Sequence, residues 1–240
     1  KTMEVKKTKD WGTFPKLREA KNPAEASEPG TVRREEGFRM IKGGKGYTIA
    51  DIEALPEGER AELIDGEMFR MATPTWTHQE MQMALSAKIW NFIVEHKGTC
   101  RVIPAPFAVY IKKDKRNYVE PDISVICDEE KKSEKGCQGA PDWVIEIVSP
   151  SSVKMDYERK VKLYREAGVR EYWIVDAEKQ TVTVYDFEHS RAPLQTDMCT
   201  GGTCAVAMEQ WDEPVPYAFS ERIKAGVFED LYLKILEMGI

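Results

Sequence analysis

Between Tyr47 and the last residue the apolar positions change period several times, and each change marks an element. The stretch "TPTWTHQEMQMALSAKIWNFIVEHKG" carries apolar residues at 81, 85, 89, 92 and 93 and closes on Gly98. That spacing predicts one amphipathic helix of about five turns. From Cys100 the period shortens to two in "CRVIPAPFAVYIKK", "PDISVIC", "WVIEIV", "EYWIVD" and "TVTVYDF". These read as five strands, the third and fourth separated by a helix over "SPSSVKMDYERKVKLYREAGV". The order predicts an α/β fold, a mixed sheet with helices packed on it. Upstream, "TIADIEALPEG" starts a short helix at Thr48 and stops at Pro56 and Gly58, and "AELIDGEMFRM" places two apolar runs around Asp65-Gly66, a strong hairpin signal. Residues 189–216 look irregular, with room for a short strand, and "FSERIKAGVFEDLYLKILEMG" suits a terminal helix or a pair of short elements.

Residues 1–46 break this patterning. They are polar, contain three prolines, end in "KGGKG", and hold twelve Lys/Arg against seven Asp/Glu. They are expected to form a basic, flexible arm, and residues 47–240 a single globular domain. The whole chain has a net charge of −6, which excludes coating of nucleic acid through bulk electrostatics but leaves room for a local basic groove. With no apolar run long enough to cross a membrane and a charged first segment, the expected location is the cytoplasm. The five scattered cysteines suit reduced thiols, and Cys199 and Cys204 lack the second ligand pair of a structural zinc site.

Two carboxylates stand out against this pattern. In "WVIEIV" side chains alternate, so Trp143, Ile145 and Ile147 share one face and Val144, Glu146 and Val148 the other. Both faces are apolar, as in a central strand, and an ionised Glu146 there needs a cation, a set of donors or a proton. Asp122 sits at the mouth of "DISVIC", on the face of Ser124 and Ile126. On the following helix Val153, Asp156, Lys160, Leu163, Tyr164 and Ala167 form one stripe at steps of three and four, which puts Lys160 on the apolar face. Two carboxylates and a lysine about one point are the groups required for metal-assisted phosphodiester hydrolysis: oxygen ligands for Mg²⁺ or Mn²⁺ and a cation for developing charge. The same residues also admit a structural reading, with Asp122 capping a strand, Glu146 salt-bridged, and Lys160 paired with Asp156.

The segments "YTIADIEALPEGERAELIDGEM", "TPTWTHQEM", "VEPDISVI", "APDWVIEIVSPSS" and "DYERKVKLYREAGVREYWIVD" resemble the Uma-two family, a bacterial group of restriction-endonuclease-like proteins with the PD-(D/E)xK nuclease fold. The resemblance spans about Tyr47 to Phe187. It implies a Mg²⁺-dependent endonuclease, a hydrolase acting on DNA, with Asp122 and Glu146 as metal-binding acids. Val148 stands where the plain motif has its lysine, and the family pattern supplies that lysine from the next helix, here Lys160. Glu62 and His78 also fall on family positions and are implied as supporting catalytic residues. A homodimer would suit cleavage of two strands. Two other classes remain open at this stage: a catalytically silent docking module on the same fold, and a metal-dependent hydrolase of a non-nucleic substrate.

Overall fold

The structure, a computed structural model, describes residues 39–40, 46–189 and 213–240. In chain order these form β1 (Arg39–Met40), α1 (Ile49–Glu53), β2 (Ala61–Ile64), β3 (Glu67–Arg70), α2 (Trp76–Glu95), β4 (Arg101–Pro104), β5 (Val109–Tyr110) and β6 (Ile123–Ile126). They continue with β7 (Lys132–Ser133), β8 (Gly136–Gln138), β9 (Trp143–Ile147), a π-helical turn (Met155–Lys160), α3 (Val161–Ala167), β10 (Glu171–Asp176) and β11 (Thr181–Asp186). Last come β12 (Val215–Ala218), β13 (Ile223–Lys224), β14 (Tyr232–Leu233) and a 3₁₀ turn (Ile235–Met238). All but three residues of the stretch expected to be an arm lie outside the described residues, as do Cys199 and Cys204. The exceptions are Gly46 and the pair Arg39 and Met40, which face Arg70 and Phe69 across the β1–β3 ladder.

Six strands build the main sheet in the order β12-β11-β10-β9-β6-β4. Within this sheet β9 and β10 are the parallel pair, and a helical crossover joins them that is long enough to return the chain to the same end. Alternation then separates two cores. Ile123, Val125, Trp143, Ile145 and Trp173 face Met81, Leu85, Ile89 and Ile93 of α2. Val144, Tyr172 and Ile174 face Met155, Val161, Leu163 and Tyr164 of the crossover. The apolar runs of β9 and β10 thus follow from burial on both faces.

The local signals at the start of the domain are realised. Thr48 and Asp51 form a capping box at α1. Asp65 and Gly66, both at positive φ, make the two-residue turn between β2 and β3. Thr75 accepts from the His78 amide and so caps α2.

Elsewhere the structure corrects expectation. "CRVIPAPFAVYIKK" is not one strand: β4 belongs to the main sheet and β5 to a small sheet with β8 and β7. Pro104 and Pro106 carry no N–H, so the ladder cannot continue through them. Cys100 and Cys127 form a disulfide rather than free thiols, because antiparallel β4 and β6 pair Arg101 with Ile126 and bring the next residues out face to face. Of the two forms expected for the C-terminal stretch, a terminal helix or a pair of short elements, the second is found, as short strands and a 3₁₀ turn. Its backbone is held open where the Val227 amide donates to the buried Glu171 carboxylate at 2.9 Å.

Candidate active site

Five elements bring the expected residues together at one end of the main sheet. Strands β6 and β9 pair Ile123 with Ile145, so the next position outward sets Asp122 beside Glu146 on the face covered by the crossover. The Asp122 backbone carbonyl accepts from the Ala105 amide at 2.9 Å and from Gln82 Nε2 at 2.7 Å. Its carboxylate Oδ2 accepts from the Ile147 amide at 2.7 Å and from His78 Nε2 at 3.1 Å. A carboxylate only accepts, so His78 carries its proton on Nε2. Burial works against the His78 charge, but Asp122 more than compensates and raises its pKa above the ordinary imidazole value. Nδ1 of His78 is buried without a partner.

Glu62 arrives from a different sheet. Leu63 packs with Ala61, Met68 and Tyr118, and alternation turns Glu62 the other way, fully buried. Its Oε1 accepts from the Glu120 amide at 3.0 Å. Its Oε2 lies 3.0 Å from Lys160 Nζ, outside hydrogen-bonding direction.

Lys160 closes the group. Its Nζ donates to Glu146 Oε1 at 2.9 Å and lies 3.7 Å from Asp156 Oδ1, with its side chain 4% exposed. Tyr164, four residues on, donates its hydroxyl to the same Glu146 oxygen at 2.6 Å. The wider π turn over Met155–Lys160 runs into α3 at Val161, and Asp156, Lys160 and Tyr164 are all buried. Val148 is apolar and packs at the edge of the crossover core. The lysine that a strand would carry two residues after Glu146 is therefore delivered from the helix.

The electrostatics follow from the count. Burial opposes the Lys160 charge, yet Glu146, Glu62 and Asp156 hold its pKa well above the usual lysine value, so it stays an ammonium. Burial pushes Glu146 well above the usual carboxylate range, with Asp122 and Asp156 adding to the rise against the pull of Lys160. It lifts Asp156 to about 6. Three carboxylates around one ammonium leave two formal negative charges unbalanced, a deficit that a divalent cation or protons must meet.

All five residues singled out from the sequence, Asp122, Glu146, Lys160, Glu62 and His78, thus join one network. Three further members were missed. Tyr164 was read as packing against the sheet. Gln82 lies on the buried face of α2 between Met81 and Leu85, and an amide there is the mark that could have revealed it. Glu120, within "VEPD", is buried and accepts from Tyr118 Oη at 2.8 Å and Arg60 Nε at 2.8 Å while its amide holds Glu62. Asp142, the acid of the second Pro-Asp pair in the chain, sits at the far end of β9, where it accepts from the Cys127 amide at 2.8 Å and faces Arg170.

A mixed sheet with helices on both faces and two strand-end acids beside a lysine defines a restriction-endonuclease-like domain. The chain belongs to the Uma2 family, described as "Putative restriction endonuclease", whose sequence model matches residues 49–199. It is similar to a solved "putative nuclease belonging to DUF820" from Anabaena variabilis, at a TM-score of 0.59 and 22% identity over 80% of this chain and 97% of that one. It is also 26% identical over 128 residues to "Uncharacterized protein slr1290" of Synechocystis, a match spanning 53% of this chain and 66%, just under two thirds, of that protein. Among the described residues no helix is long and apolar enough to cross a membrane.

Proposed function

We propose that the chain is a metal-dependent endonuclease that hydrolyses phosphodiester bonds in DNA. The observation that carries this reading is Lys160 meeting Glu146 at 2.9 Å from the crossover helix, which completes an acid–acid–lysine set that the strand alone lacks.

The donor set suits Mg²⁺ or Mn²⁺. Both contacts of Asp122 fall on Oδ2 and both of Glu146 on Oε1, so among the described residues Asp122 Oδ1 and Glu146 Oε2 have no hydrogen-bond partner. Among the described residues no three Asp, Glu, His or Cys side chains are arranged to hold one metal ion. Two carboxylates, with water and substrate phosphate supplying the rest, is the usual manner of holding Mg²⁺. The ion would activate water and neutralise phosphoryl oxygens. Lys160, fixed as an ammonium, serves as a stabiliser of developing negative charge and not as the base. Tyr164 and the Ile147 amide fix the two acids. His78 orients Asp122 and keeps a second ring nitrogen for water or phosphate.

Calorimetric titration of Mn²⁺ tests the reading, with one weak site expected in the wild type and none in Glu146→Gln. Nicking of supercoiled DNA with Mg²⁺ should disappear in Glu146→Gln and Asp122→Asn. Absence of ion binding, with or without an oligonucleotide, would leave a docking module. Ion binding without cleavage of DNA or RNA would leave a hydrolase of another substrate.

A further inference from the structure

Helix α2 buries one face with Leu85, Ile89 and Ile93, but its opposite face is also apolar. Trp76 is 82% exposed, Met83 70%, Trp90 49% and Val94 56%. Trp76, Met83 and Trp90 recur at steps of seven, Glu80 and Ala87 fall between them at steps of four and three, and Val94 follows four residues after Trp90. This is the seam of a helix that packs lengthwise on another helix at a shallow angle. A soluble chain rarely leaves such a stripe in water.

We propose that this face is a dimer interface in which two copies of α2 pack antiparallel about a two-fold axis near Ala84. Three observations select a second copy as the occupant. The seam is self-complementary, since a spacing of three and four fits another of the same spacing. Glu80 and Lys88 stand four residues either side of Ala84, are of opposite charge, and have no ion-pair partner among the described residues. An antiparallel two-fold pairing turns each Glu80 toward the other protomer's Lys88, while small Ala87 within the stripe lets the helices approach. The four apolar side chains expose on the order of 500 Å² per protomer, given about 150–250 Å² for each large aromatic. Two such faces bury roughly 1,000 Å², the lower bound for a specific interface. A nucleic acid stacking on the tryptophans is disfavoured by Glu80 within the stripe.

The proposal stands independently of the chemistry at Glu146. Sedimentation velocity of the full chain at micromolar concentration should give a dimer, and Met83→Glu a monomer with unchanged far-UV circular dichroism. Glu80→Lys should weaken the dimer about fivefold through like-charge contact at both symmetric pairs. Adding Lys88→Glu should restore it to within about twofold. A monomeric wild type, a dimer that survives Met83→Glu, or a double reversal no tighter than the single one would overturn the proposal.

Discussion

At the residue scale, Lys160 is the keystone of a buried charge network. Removing it leaves Glu62, Glu146 and Asp156 facing one another without a cation, so Lys160→Met should destabilise the fold by about 3–5 kcal/mol. Urea denaturation measures this, and a loss under about 1 kcal/mol would mean that the carboxylates take up protons instead. Asp156 gives a second expectation. Its folded pKa is raised to about 6 from an ordinary 3.8, so the folded state holds the proton more tightly than the unfolded one. That contribution is full below the unfolded value and is lost as pH climbs through about 6. It amounts to about 3 kcal/mol at most, and less because Glu146 shares the same charge field. The urea midpoint of the wild type, compared with Asp156→Asn between about pH 4 and pH 7, should reveal it as a steeper decline in the wild type. What sequence alone made visible here was position. Lys160 was marked by lying on an apolar stripe and Glu146 by lying in an apolar strand. The convergence of Lys160 on Glu146 was legible in this way, but the contact of Glu62 with Lys160 was hidden, because the two are brought together by sheets and turns far apart in the chain.

At the element scale, local signals were the legible ones. Asp65-Gly66, the helix start at Thr48, and the spacing of α2 are decided within a few residues, and each formed as read. The π turn had no such signature, since its stripe is compatible with an α-helix, and β7 and β8 are too short to show a period. The small sheet nevertheless rests on one residue. Gly136 adopts φ +128°, and a Cβ there would lie 2.2 Å from the Ala108 carbonyl oxygen. Gly136→Ala should therefore cost about 2–4 kcal/mol through strain and forced separation of β8 from β5, which a denaturation midpoint will register. Of the two forms expected for the C-terminal stretch, the pair of short elements is the one found, for the opposite reason. Apolar spacing over 219–239 fits a helix, but Glu171 is buried beneath it and needs the Val227 amide, and satisfying a buried carboxylate outweighs local period.

For the whole molecule, order should decline from the centre of the main sheet outward. Strands β9 and β10 are covered on both faces and flanked by partners, and their residues are buried throughout. Strand β12 lies at an edge and is mostly exposed. Amide hydrogen exchange should be slowest in β9 and β10 and fastest among the sheet strands in β12, and equal protection across them would contradict this ranking. The mixed sheet was legible because burial on both faces writes itself as unbroken apolar runs. The neighbour relation of β4 and β6 was not, so the Cys100–Cys127 bond went unread.

The order in which the ribosome releases these groups has a consequence of its own. Glu62, His78, Asp122 and Glu146 all emerge before Lys160 and Tyr164, and the carboxylates have no internal counter-ion until the crossover has been made and has docked. A chain synthesised only as far as β9 therefore holds no assembled centre, and whatever reaction the finished protein performs waits on the making of the crossover.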